Sequence, residues 1–228
     1  MLLNIKRTDK ILFCAYRDWG IKVFKNFKNK NSCNFVLAQS KDELNQMLIK
    51  YKPIIIVLLG WSWILKKEIV NDYYVIGIHP SDLPNYAGGS PIQNQIINGL
   101  SSSKCTLFKI SQDVDKGPIL GKKNLSLDGN VNDIFQSIYE ASIYLLEEFF
   151  NNFPNIKEIS QINDFSNNCK RLKPEDSDLS KKLINKTSCK NLYNLIRCRT
   201  SPYPNAFIKD ETGTLYFENV SFKKNEKK

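Results

Sequence analysis

Three short apolar runs in the first sixty residues, each separated from the next by a stretch with helical spacing, decide what this chain can fold into. The runs are Lys10-Ile11-Leu12-Phe13-Cys14-Ala15, Cys33-Asn34-Phe35-Val36-Leu37-Ala38 and Ile54-Ile55-Ile56-Val57-Leu58-Leu59. They are too short for helices and do not alternate, so they read as strands buried on both faces. Between the first two, Trp19 to Lys28 places Ile21, Phe24 and Phe27 on one side of a helix. Between the second and third, Ser40-Lys41-Asp42-Glu43 has the form of a capping box ahead of Leu44, Met47 and Leu48. Strand, helix, strand, helix, strand with right-handed crossovers gives an α/β fold: a mainly parallel sheet flanked by helices.

The rest of the chain extends this pattern. Tyr73 to Ile78 reads as a strand that ends at His79, and Pro80 to Gly89 is a loop rich in Pro, Gly and Asn. Ser90-Pro91 starts a helix that ends near Asn98-Gly99. Lys104 to Ile110 is a strand, Asp113 to Gly117 a turn, Pro118 to Lys122 the start of the last strand, and Val131 to Phe150 a long amphipathic helix. Past Phe153-Pro154 the composition shifts to Asn, Lys and Ser, which divides the chain into a main domain, 1–155, and a small C-terminal extension, 156–228. That extension carries a helix-like stretch, Asn191 to Arg197, and two strand-like runs, Ala206 to Ile208 and Thr214 to Phe217, the pattern of a helix plus a β-hairpin. An extension of 73 residues, much of it polar, is small for a core of its own, so it is expected to pack on the main domain or on a second copy of the chain.

Composition narrows the function. A formal net charge of +10 fits nucleic acid, a membrane surface or a phosphorylated metabolite, but the lysines are scattered apart from the run at 223–228, which argues against a nucleic-acid face. Six cysteines form no C-x-x-C pair and one histidine cannot complete a zinc site, so no metal is expected. The longest apolar run is too short to span a bilayer. Met1-Leu2-Leu3 leads straight into Asn4 and Lys6, unlike a secretory leader, so a cytoplasmic location with reduced thiols is expected.

His79 stands where strands of an open α/β sheet deliver ligand-binding residues, and Asp115 lies in another turn that follows a strand. A carboxylate beside an imidazole orients the ring and supports its charged form, as proton transfer requires. From spacing alone, a hydrogen-bonded structural histidine and an Asx turn before Gly117 account for the two residues equally well.

The blocks around them carry a resemblance. Ile78-His79-Pro80-Ser81-Asp82-Leu83-Pro84, then Gly88-Gly89-Ser90-Pro91-Ile92-Gln93, then Asp115-Lys116-Gly117-Pro118-Ile119 resemble the signature of the folate-dependent formyltransferases. Ala15 to Trp19, Gly60 to Ile64, Lys173 to Ser177 and Tyr203 to Phe207 agree with it, so the likeness covers almost the whole chain, and the last two blocks resemble the tail of sugar-nucleotide N-formyltransferases. The resemblance implies a Rossmann-like fold, dimerisation, and an enzyme that moves a formyl group from N10-formyltetrahydrofolate, without a metal, to the amine of a nucleotide-linked amino sugar. Methionyl-tRNA, glycinamide ribonucleotide, and a non-catalytic folate or sugar-nucleotide binder are the alternatives.

It further implies that His79 assists proton removal from the amine and that Asp115 holds the ring. Trp63, Ile64, Leu65, Ser111, Asp113 and Val114 would form the pterin slot, and Tyr16, Arg17, Trp19, Asn85 and Tyr86 would meet the acceptor. The family usually has Asn two residues before the His, as donor to the oxyanion; this chain has Gly77. Protonated His79, a backbone N–H, or a side chain such as Asn94 is left to replace it.

Overall fold

The computed structural model describes residues 8–30, 34–162, 168–180 and 187–225. The expected first residue of the second strand, Cys33, and both chain ends, 1–7 and 226–228, lie outside them. Strands β1 (Lys10–Cys14), β2 (Asn34–Ala38), β3 (Ile55–Leu59) and β4 (Tyr74–His79) pair in parallel, with α1 (Asp18–Lys30), α2 (Lys41–Tyr51) and the short α3 (Lys67–Asp72) as connections. After α4 (Pro91–Ile97) come β5 (Ser102–Lys109), β6 (Ile119–Ser126) and α5 (Val131–Asn152). The six strands form one sheet in the order β2-β1-β3-β4-β5-β6.

The last two strands reverse the parallel run: β5 lies antiparallel to β4, and β6 antiparallel to β5. No helix separates Lys109 from Ile119, so nothing can carry β6 back across the sheet, and it returns beside β5. His79, at the carboxyl end of β4, faces Thr106 in the middle of β5, while Lys109 faces Ile76. The carboxyl end of β5 therefore lies at the opposite edge from His79.

Burial follows from the apolar runs. Ile11, Phe13, Val57 and Ile76 point to the α1 and α5 face, where Phe13, Phe24, Phe27, Phe35 and Phe150 pack ring against ring at centroid separations of 5.6–6.2 Å. Leu12, Cys14, Ile56 and Val75 point the other way, onto Leu44 and Leu48 of α2 and Ile69 of α3. At the start of α2 the Ser40 hydroxyl accepts from Glu43 N–H, and the Glu43 carboxylate accepts from the backbone of Gln39 rather than of Ser40. A reciprocal capping box does form at α5, between Asn130 and Asp133.

Beyond residue 155 the chain runs back beside the edge strand β6 to the glycine loop. Ile159 exchanges backbone hydrogen bonds with Ile119, and Cys169 pairs with Ala87 and Gly89. A 3-10 turn (Pro174–Ser177) leads on to α6 (Cys189–Arg197) and to a hairpin of β7 (Ala206–Lys209) and β8 (Thr214–Phe217). Leu179, Leu195, Ile196 and Ala206 form a small cluster with Ile97 of α4 packed against it. Buried Arg197 ties α6 down, donating to Asn194 Oδ1 and to the carbonyls of Leu127 and Gly129. Among the described residues no helix is long and apolar enough to cross a membrane.

Candidate active site

Crossovers from β1 to β2 and from β2 to β3 leave the sheet in opposite directions, which opens a crevice at the carboxyl ends of β1 and β3. A cleft of about 570 Å³ lies there and continues along β4. It is bounded by Arg17 and Trp19 after β1, the segment from Gly60 to Leu65 after β3, Gly77 to Pro80 at the end of β4, and the loop from Gly88 to Gln93. The segment from Ile110 to Asp115 closes the remaining side. That segment starts at the far edge, where Ile110 N–H bonds the Val75 carbonyl, and climbs along β4 until the Asp115 carboxylate stands at His79. The antiparallel β5 thus brings Asp115 to the site by a return path.

His79 Nδ1 is 3.4 Å from Asp115 Oδ2, with side chains 8% and 17% exposed. On the other side of the ring, Nε2 lies 2.8 Å from the Tyr86 carbonyl. Asp115 Oδ2 also accepts from Gly88 N–H at 2.8 Å. A carbonyl and a carboxylate can only accept, so the protonated ring donates on both sides and the neutral ring on only one. This arrangement suits a held imidazolium. To act as a base the ring must first be neutral, with its unprotonated nitrogen turned away from the Tyr86 carbonyl or from Asp115.

Tyr86, Ser90 and Asp115 all adopt left-handed backbone conformations, at φ 57°, 53° and 56°. Non-glycine residues seldom do so, and here each one flanks the cleft. Tyr86 uses the conformation to present its carbonyl to His79, and Asp115 to turn its carboxylate inward.

At Gly77, the position of the expected Asn, an added Cβ would lie 2.9 Å from Ile110 Cδ1 and 3.4 Å from Phe108 Cε1. The space beside β4 is filled by these two apolar side chains. Asn94 does not reach in their place: its amide donates to the carbonyls of Gly89, Ser90 and Lys170 and ties the glycine loop to the returning chain.

Trp63, Ile64, Leu65, Ser111, Asp113 and Val114 all stand on the cleft wall, as do Arg17 and Trp19. Tyr16, Asn85, Tyr86 and Asn94 stand behind it. Tyr16 packs on Trp61 and Trp63, and its hydroxyl is 2.5 Å from Ser62 Oγ. Asn85 uses its backbone carbonyl to accept from Ser81, and the Tyr86 hydroxyl accepts from Asn98.

Wall residues outside the expected sets are Phe108, Ile110 and Arg171, while Trp61, Gln93 and Tyr203, also on the wall, stand within the resembling blocks. The Trp61 Nε1 proton is buried without a partner among the described residues. A planar heterocycle with ring acceptors fits this wall: aromatic and apolar faces with one unspent donor. Arg17 lies over the rings of Tyr16 and Tyr203, 5.3 and 5.6 Å from their centroids, and is in no ion pair among the described residues.

Residues 19–141 match the family model for formyl transferases. The bifunctional polymyxin resistance protein ArnA of Wigglesworthia glossinidia brevipalpis is 31% identical over 94% of this chain and 33% of its own length. The chain thus spans about a third of the first curated relatives that it matches. A solved methionyl-tRNA formyltransferase from Clostridium thermocellum superposes with a TM-score of 0.84 at 30% identity, covering 94% of each chain. A 4-N formyltransferase from Francisella tularensis, at 17% identity, shares the fold with a TM-score of 0.77 over 96% of this chain and all of its own.

Proposed function

The chain belongs to the formyl transferase family, and we propose that within it the protein passes a formyl group from N10-formyltetrahydrofolate to the amine of a nucleotide-linked amino sugar. The observation that carries the reading is His79, held at one end of the cleft between the Asp115 carboxylate and the Tyr86 carbonyl. Trp61, Trp63, Ile64, Leu65 and the segment from Ser111 to Val114 line the rest. These residues would hold the folate, with the unspent Trp61 N–H available to a ring acceptor. When bound, the folate supplies an activated one-carbon unit at the oxidation level of formate.

What the chain adds is position and charge. Charge builds on the formyl oxygen as the amine attacks, and a preorganised donor to it lowers the barrier by roughly 3 to 4 kcal/mol. With Gly77 bare and Asn94 spent, His79 Nε2–H becomes that donor by exchanging the Tyr86 carbonyl for the formyl oxygen, while Asp115 holds Nδ1 and orients the ring. His79 is thereby an electrostatic and proton-donating group first, and takes part in removing the amine proton only once the ring has given up one of its own. Arg17, stacked between two tyrosines, meets a phosphate of the acceptor.

A second reading, methionyl-tRNA as acceptor, is favoured by the 30% identity to the Clostridium thermocellum enzyme over nearly the whole chain. One assay separates the two. The protein is incubated with N10-formyltetrahydrofolate and either UDP-, dTDP- and GDP-linked amino sugars or methionyl-tRNA. Release of tetrahydrofolate with a sugar nucleotide supports the proposal, and release with methionyl-tRNA alone overturns the sugar assignment.

A further inference from the structure

A second, smaller cavity opens beside the cleft. It measures about 180 Å³ and shares Arg17, Ser90, Gln93, Arg171 and Tyr203 with the cleft. Its own wall adds Lys173 and Arg199. Four cationic side chains therefore face one small space, and no carboxylate lines it among the described residues. None of the four is in an ion pair among those residues. Arg171 and Lys173 are exposed and Arg17 is half-buried, so the cost of unpaired charge falls on buried Arg199, which an anion in the cavity would relieve.

Arg199 marks the cavity as built for an occupant. It is only 3% exposed, yet Nη1 meets just the Leu195 carbonyl and Cys198 Sγ, and Nε is buried with no partner among the described residues. A buried guanidinium left so poorly satisfied in the protein alone points to a ligand. The backbone that carries Arg171 is fixed against the glycine loop. The chain from Cys169 to Leu172 is pinned to the glycine loop by Gly89 N–H on the Cys169 carbonyl and Leu172 N–H on Ser90 Oγ. A Cβ on Gly89 would lie 2.5 Å from Arg171 Cα, so only glycine lets Arg171 come this close.

The geometry points to this cavity as the seat of the diphosphate that links nucleotide and sugar in the acceptor, held by Arg17, Arg171, Lys173 and Arg199 while the amino sugar reaches past Gln93 toward His79. The inference rests on the proposed acceptor class and adds to it where the carrier's charge is bound. Guanidinium groups suit bidentate pairing with phosphate oxygens, and Gln93, on both walls, can bridge to a sugar hydroxyl between the two sites.

Calorimetry on the full chain tests it with UDP, dTDP, uridine, inorganic pyrophosphate and a CCA-ended RNA hairpin. The variants are Arg171→Met, Lys173→Met and Arg199→Met. Quenching of tryptophan fluorescence by 5-formyltetrahydrofolate reports whether each variant keeps its cleft, and the exposed Lys173 supplies a variant that does not depend on core packing. The nucleoside diphosphates should bind, pyrophosphate should compete with them, and each substitution should weaken them about tenfold or more. Uridine and folate binding should stay within twofold.

Diphosphates no tighter than uridine, a Kd unmoved by all three substitutions, or substitution-sensitive binding of the RNA in preference to UDP would each overturn the assignment. A diphosphate site without formyl transfer to any amine leaves the cavity assigned and removes the catalytic reading. Transfer to an amino sugar that is indifferent to the three substitutions does the reverse.

Discussion

His79 meets an acceptor at each ring nitrogen, and this governs what substitutions there do. His79→Ala removes both the donor to the formyl oxygen and the proton store, so kcat/KM should fall about 100- to 10,000-fold, while folate binding measured by tryptophan quenching changes little. Asp115→Asn keeps the shape but loses the charge that holds the ring, and kcat should drop with KM unmoved. Gly77 makes a sharper test. Gly77→Asn alone drives Cβ against Ile110 and should cost about 1 to 3 kcal/mol of stability by denaturant melt. Gly77→Asn with Ile110→Ala should recover most of that and raise the residual activity of His79→Ala; no recovery would mean that Ile110 is not what fills the family's donor site.

The pair His79 and Asp115 was legible from flanking motifs. Ile110 and Phe108 were not, because their place beside Gly77 depends on β5 running antiparallel. No local pattern reports strand direction.

At the scale of elements, the loop after β4 is anchored by Asp82, which pairs with Lys122 and, at 3.1 Å, with Lys104. Burial pushes the Asp82 carboxyl up, but the two lysines outweigh it and hold it below its ordinary value. A depressed carboxylate stabilises the fold above its unfolded-state pKa, and that contribution is lost as pH falls through the folded value. Below about pH 4 the protein should lose stability, and Asp82→Asn should flatten that acid limb of Tm against pH. A parallel acid limb in the variant would remove Asp82 from the account.

Farther along, Arg197→Met leaves the Leu127 and Gly129 carbonyls without their donor and loosens α6 from the end of β6; a loss of about 1 to 3 kcal/mol in the same melt is expected. All helices but α3, and the first four strands, were readable from period and caps. The six-residue α3 escaped because it is too short to show a period, and the role of the chain beyond 155 escaped because its contacts with β6 and the glycine loop are long-range.

For the whole molecule, one cleft joins the carboxyl ends of β1 and β3, the face of β4 and the returning chain, so that the aromatic wall proposed for the folate, His79 and the cationic cavity adjoin one another. On this reading the shared space moves a formyl group and His79 is the group that meets the formyl oxygen. Single-turnover release of tetrahydrofolate from N10-formyltetrahydrofolate, followed across the panel of sugar nucleotides and methionyl-tRNA with native protein and His79→Ala side by side, tests it most directly. The account predicts rapid release with an amino-sugar nucleotide and a loss of about 100-fold or more in the variant. Equal release by both proteins, or none with any amine, would contradict it.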